Sequence, residues 1–254
     1  MKLSVKEYGK GNSKGDVILL HGTGARAEMW DPQIKILVDE GWHCIVPDLR
    51  GHGESDEPEE RTNLQVHIND VLETLADYSI SWPAVFIGHS LGAIISVELA
   101  ALHPEKVKCI LAVALPGKVP RPTVMAFEVF LSLPIKQIKG TAFHRSLAWR
   151  ERTLLETNMF SLEQIMHNFK DLDYVTNLPD VKCPIHFAVG RLDPVAPCQH
   201  VETMHKNTPG STLRIIEWAG HNCMDSQPGE FNRWFRESMR SFHQEPINKE
   251  NAKS

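Results

Sequence analysis

Phe86-Ile87-Gly88-His89-Ser90-Leu91-Gly92-Ala93 is the stretch on which the reading of the fold turns. Residues 84–87 form a short apolar run of the kind a buried strand shows. Residues 90–102 carry apolar side chains at helical spacing. The strand pattern therefore hands over to the helix pattern at Ser90 with no intervening loop. A chain that turns so abruptly forces its central residue into a strained conformation and lifts that side chain above the sheet edge. Gly88 and Gly92, two residues to either side, remove side chains that would clash in the turn. G-x-S-x-G in this setting makes Ser90 a candidate nucleophile, with the positive end of a helix dipole beneath it.

Outward from this point, apolar runs alternate with helical patterns, the signature of a mainly parallel sheet in an α/β fold. Residues 16–21, 42–46, 84–87, 107–115, 183–189 and 213–218 read as strands. Residues 29–40, 62–78, 90–102 and 231–242 read as helices, with Gly41 ending the first of them. Residues 244–254 are polar and expected to fray. The rhythm breaks between residues 116 and 177, where no strand pattern occurs and apolar residues such as Met125, Phe127, Phe143, Leu154, Ile165, Met166 and Phe169 recur. So long a connection is usually functional or has structure of its own. It is expected to be a small helical lid, most of its apolar residues packing as core and a minority lining a pocket. The expected organisation is a core of residues 1–115 and 178–254 with a lid of residues 116–177.

A serine hydroxyl needs a general base. With 13 histidines in the chain, the presence of one decides nothing; its context does. His221 follows the strand-like residues 213–218 through Ala219-Gly220, which puts it on a loop at a strand's C-terminal end, where catalytic groups of open α/β sheets gather. Asp193, in Gly190-Arg191-Leu192-Asp193-Pro194, leaves the end of the preceding strand in the same way. It is the candidate to orient the histidine. The chain order is Ser90, Asp193, His221. Oxyanion donors are expected from the backbone N–H of Leu91 and from that of Thr23 in His21-Gly22-Thr23-Gly24, a glycine-rich turn without phosphate-loop spacing.

Composition bounds the rest. A net charge of -5 argues against nucleic acid as a partner. No apolar run reaches the roughly 18 residues of a membrane span, and residues 1–8 do not read as a signal peptide, so the expected location is the cytoplasm. The five cysteines, Cys44, Cys109, Cys183, Cys198 and Cys223, show no metal-ligand spacing and are expected to be free thiols, the last two in loops. Lys118, Arg121, Lys136, Lys139, Arg145, Arg150 and Arg152 give the lid a basic rim. It reads as a solvated face or as a surface that greets an anionic substrate.

These motifs, together with Asp48-Leu49-Arg50-Gly51-His52-Gly53-Glu54-Ser55-Asp56, resemble those of the α/β-hydrolase superfamily and run in its order over residues 16–242. The resemblance implies a mostly parallel sheet with helices on both faces and a lid inserted after the sixth strand. It also implies structural roles for His21, His52 and the turn of residues 48–56, and a serine-esterase-like chemistry. Ser90 stands where epoxide hydrolases and haloalkane dehalogenases carry aspartate. The expected activity is hydrolysis of a small, largely apolar carboxylic ester with no cofactor and no metal. Thioester, lactone or carbon–carbon bond hydrolysis by the same triad remain alternatives, as does a ligand-binding receptor on a hydrolase scaffold.

Overall fold

The computed structural model describes residues 1–241. The predicted helix end at Phe242 and the tail of residues 244–254 lie outside the described residues, as do the side chains of Ile135 and Lys136. Seven strands form one sheet: β1 (Val5–Tyr8), β2 (Asp16–Leu20), β3 (His43–Pro47), β4 (Ala84–His89), β5 (Val107–Val113), β6 (Ile185–Gly190) and β7 (Thr212–Ile216). Their order is β1-β3-β2-β4-β5-β6-β7, with β1 antiparallel to β3 and every other pair parallel. Each residue of β2, β3, β4 and β6 is buried, so both faces of the sheet centre are covered.

The helices are α1 (Asp31–Asp39), α2 (Leu64–Leu75), α3 (Leu91–Leu102), α4 (Arg121–Ser132), α5 (Ile135–Ile138), α6 (Ala142–Ser146), α7 (Trp149–Glu156), α8 (Met159–Phe169), α9 (Tyr174–Asn177), α10 (Cys198–Lys206), α11 (Cys223–Ser226) and α12 (Pro228–Ser241). Helix α3 is apolar nearly all round because it packs on β2, β4 and β5 and against α2. The Asn63 side chain caps α2 by accepting from Val66 N–H, and Asn158 does the same for α8 at Ser161 N–H. Gly41, just past α1, has φ +87°, the left-handed conformation expected of a glycine that ends a helix.

The first strand, β1, has no counterpart in the sequence reading. It pairs only with β3 at the sheet edge and buries none of its residues fully, so it lacks an apolar run. The first helix region opens as a 3₁₀ turn, Ala27–Trp30, before α1. Two cysteines are also placed differently from the expectation. Cys198 and Cys223 begin helices α10 and α11 and are buried, not held in loops. All five cysteines are unpaired.

Helices α4 to α9 occupy the connection between β5 and β6, after the fifth strand of this sheet rather than the sixth that the resemblance implies. Fewer of its apolar residues are core than the sequence suggests. Leu162, Ile165 and Phe169 are buried, but α4 buries no residue, and Met125 and Phe143 are 64% and 61% exposed. The segment is nevertheless tied to the sheet edge. Leu154 of α7 packs where a Cβ on Gly24 would fall, 2.3 Å from its Cδ1. Arg26 and Glu156 pair at 3.4 Å, Asn158 N–H donates to Gly51 O at 3.1 Å, and Thr123 Oγ1 donates to Pro194 O at 2.6 Å.

Candidate active site

Ser90 sits between β4 and α3 with φ +50° and ψ -110°, a conformation L-residues avoid. The turn is held by backbone bonds. Ser90 N–H donates to Val113 O at 2.9 Å, and Ser90 O accepts from Ala93 and Ile94 at 3.0 Å. Two glycines make it sterically feasible. A Cβ on Gly88 would lie 2.3 Å from Gly92 O, and one on Gly92 would lie 2.2 Å from Leu20 O. Backbone occupies both places, so neither clash can be relieved by a side-chain rotation.

Asp193 and His221 lie beyond the ends of β6 and β7. The Asp193 carboxylate is buried and takes four contacts. Val195 and Ala196 N–H donate to Oδ1 at 2.8 and 2.9 Å, and His221 Nδ1 lies 3.0 Å from Oδ1 and 2.9 Å from Oδ2. A carboxylate acceptor fixes Nδ1 as the protonated nitrogen and leaves Nε2 as the free one. The His221 side chain keeps 21% of its surface exposed. Ser90 and His221 line one cavity of about 330 Å³, together with Thr23 and Leu91. Among the described residues, no acceptor takes the Thr23 or Leu91 N–H, so both donors stay uncommitted. The structure thus brings four of the five sequence-predicted residues to the same cavity, and the fifth, Asp193, stands behind His221 and outside the cavity wall.

The loop that carries Thr23 is braced by two buried histidines. His21 Nδ1–H donates to Gly22 O at 2.8 Å while its Nε2 accepts from Leu49 N–H at 2.8 Å. His52 Nδ1–H donates to Arg50 O at 2.9 Å, and its Nε2 accepts from Gly24 N–H at 3.0 Å. Each ring is donor on one side and acceptor on the other, which only neutral imidazole can be. Burial pushes His21 down to about 4 and His52 down to about 3. Asp48 braces the neighbouring turn, accepting from Ala27 and Glu54 N–H at 2.7 and 2.9 Å.

Two residues at the site went unassigned in the sequence. His89, the variable position of G-x-S-x-G, donates Nε2–H to His221 O at 3.0 Å, its ring centroid 4.8 Å from that of His221. Its Nδ1 is buried without a partner among the described residues. Burial, and then the charges of His221 and Arg150, hold it well below the ordinary imidazole range. Gly22 has to be glycine beside it, because a Cβ there would lie 2.4 Å from His89 Nδ1. Arg150, read only as one of seven rim cations, also lines the cavity. No motif marks either residue, since their roles depend on neighbours distant in the chain.

A mostly parallel sheet in this strand order, with a positive-φ serine at the turn from β4 to α3, defines the architecture of the α/β-hydrolases. Comparison with known proteins agrees: residues 16–133 match the family model for the alpha/beta hydrolase fold. The chain is a hydrolase of the α/β-hydrolase fold, and the matched residues make up just under half of it. Over 118 residues it is 35% identical to epoxide hydrolase A of Mycobacterium tuberculosis, a match covering 46% of this chain and 36% of that protein. It is 25% identical over 248 residues to (E)-2-((N-methylformamido)methylene)succinate hydrolase of Acinetobacter baylyi, covering 89% and 90% of the two chains. The structure of an esterase from Exiguobacterium antarcticum superposes with a TM-score of 0.79 at 22% identity, over 94% of this chain and 95% of that one, a likeness of fold.

Proposed function

We propose that this α/β-hydrolase cleaves a carboxylic ester of a small, largely apolar substrate through an acyl-enzyme at Ser90. The observation that carries the reading is that His221, paired with Asp193, lines the same cavity as the strained Ser90. In this mechanism Ser90 Oγ attacks the ester carbonyl while its proton passes to His221 Nε2. Asp193 holds the imidazole tautomer and stabilises the imidazolium that forms. The Thr23 and Leu91 N–H groups receive the oxyanion. The tetrahedral intermediate collapses, the C–O bond to the alcohol breaks, and His221 returns the proton to the departing oxygen. A water molecule, deprotonated by His221, attacks the acyl-enzyme and releases the acid with Ser90 restored. No step requires a cofactor or a metal.

Helices α4 to α9 act as the lid in this reading and supply apolar wall to the cavity, which suits an apolar acyl or alcohol group. Ser90 at the turn, in place of a carboxylate, favours an ester over an epoxide despite the likeness to epoxide hydrolase A. The five unpaired cysteines support a reducing compartment, the cytoplasm.

The test is labelling by a fluorophosphonate probe together with turnover of short-chain 4-nitrophenyl esters, thioesters and lactones. Wild-type protein is expected to gain the probe's mass on Ser90 and to hydrolyse at least the esters. The Ser90→Ala and His221→Ala variants are expected to lose about 10⁴–10⁶-fold in kcat. Wild-type rates in Ser90→Ala would overturn the mechanism, and tight binding of an ester without labelling or turnover would favour a receptor.

A further inference from the structure

The cavity wall around Ser90 is mainly apolar, and Phe127, Leu154, Ile165 and Phe169 contribute to it. Arg150 interrupts that wall with a cation. It sits in the first turn of α7, one turn before Leu154, and residues four apart share a helix face. Leu154 is the side chain packed on Gly24 of the Thr23 loop. The face that carries Arg150 is therefore seated against the loop proposed to receive the oxyanion.

The guanidinium is only partly committed. Its Nε and Nη2 donate to Asp225 Oδ2 and Oδ1 at 2.5 and 3.0 Å, and its carbon lies 4.8 Å from the centroid of the Trp149 ring. Among the described residues no acceptor takes Nη1. The Arg150 side chain is 18% exposed and that of Asp225 46%, so the carboxylate is the more solvated partner and the guanidinium the more buried. Arg150's charge is also felt at the centre of the site, where it adds to the depression of the His89 and His21 pKa values. Glu151 is the other side chain of full charge on the cavity wall, and it is exposed to solvent. A cation with free N–H donors at an apolar wall is a poor arrangement for a purely hydrocarbon ligand, because its donors would be left unmatched.

We propose that Arg150 is a specificity-determining residue that receives a free carboxylate of the substrate, at the end remote from the bond cleaved. The substrate class is then half-esters or lactones that carry one carboxylate on an otherwise apolar chain. Asp225 orients the guanidinium by its Nε–Nη2 edge and leaves the Nη1 donors for the ligand. The inference rests on the Ser90 hydrolase reading and narrows it.

The experiment compares kcat/KM for mono-4-nitrophenyl glutarate and adipate with that for 4-nitrophenyl pentanoate and hexanoate. Wild type is expected to favour the acid esters, chiefly through KM. In Arg150→Met the ratio of acid-ester to neutral-ester kcat/KM is expected to fall by about 10–100-fold, the worth of a charge-assisted hydrogen bond. Arg150→Lys is expected to recover part of that ratio. Asp225→Asn, which weakens the pairing but keeps the cation, is expected to preserve the acid-ester preference. Should Arg150→Met fail to fold, the wild-type ratio and the Asp225→Asn ratio still decide. Neutral esters turned over without any acid-ester preference would overturn this assignment and leave the hydrolase reading standing. Equal losses for both ester types in Arg150→Met and Asp225→Asn would make the pair a structural latch, and would equally overturn it. Turnover of neither ester type, with no labelling of Ser90, would overturn the hydrolase reading and this inference with it.

Discussion

Mild acid is expected to unfold this protein through its buried imidazoles. His21, His52 and His67 are held neutral by burial at about 4, 3 and 4, against an ordinary value of 6.5, and His89 is pushed well below that value too. A folded-state pKa below the unfolded one means the unfolded chain binds more protons in between. Stability is therefore full above the unfolded value, falls as the pH drops through it, and levels off below the folded value. At about pH 5 each of these imidazoles costs about 2 kcal/mol, so the three with stated values remove about 6 kcal/mol. His89 adds to the loss. Domains of this kind have about 5–15 kcal/mol to lose. Urea unfolding followed by tryptophan fluorescence between about pH 7.5 and 5 checks this, with an expected slope near pH 5.5 of about 1.2 kcal/mol per pH unit for each histidine. His67, whose ring nitrogens find no partner among the described residues, offers the control: His67→Leu is expected to flatten the slope by one such share. A urea midpoint that stays constant across this range would refute the reasoning.

Three further outcomes follow from the site. Asp193→Asn is expected to lower kcat by about 10⁴-fold while the protein still folds, because the amide can hold the wrong tautomer of His221; pre-steady-state ester kinetics and a thermal melt together check this. His89→Phe keeps the ring but removes the bond to the His221 carbonyl; a loss of about 1 kcal/mol, or about fivefold in kcat/KM, is expected in ester assays. Gly92→Ala drives a Cβ to within 2.2 Å of Leu20 O, so it is expected to cost about 3 kcal/mol or more in chemical denaturation.

Much of this site is legible in the sequence because its requirements are local. The turn at Ser90 needs Gly88 and Gly92 for reasons of backbone contact, and those two residues are visible as letters. Asp193 and His221 are found because each follows an apolar run by only a few residues, which puts it at a strand end whatever the strand's neighbours are. Strand β1 is not legible, since an edge strand of four half-buried residues leaves no apolar pattern. The burial of Cys198 and Cys223 is hidden too: the helices they begin are positioned by contacts that their own polar flanks do not announce. The part played by His89 depends on a carbonyl 132 residues away, and that of Arg150 on Asp225, 75 residues away. Neither separation leaves a period or a motif. The helical segment is the weakest part of the reading, because exposed apolar residues such as Met125 look the same in a sequence as buried ones.

The hydrogen bond between His89 and the His221 carbonyl also has a meaning for the growing chain. Ser90 leaves the ribosome more than a hundred residues before the base proposed to activate it; the neighbouring pair His89 and His221 is 132 residues apart. At about 5–20 residues per second, that is an interval of several seconds to half a minute. During that time the strand-to-helix turn can form from β2, β4, β5 and α3 alone, but its hydroxyl has no imidazole beside it. A nascent or truncated chain that stops after the segment matched by the family model, residues 16–133, would be chemically silent. On the proposed mechanism, reactivity would switch on late, when β6 and β7 dock and bring Asp193 and His221 with them, and synthesis itself would withhold an activated serine until those strands are in place.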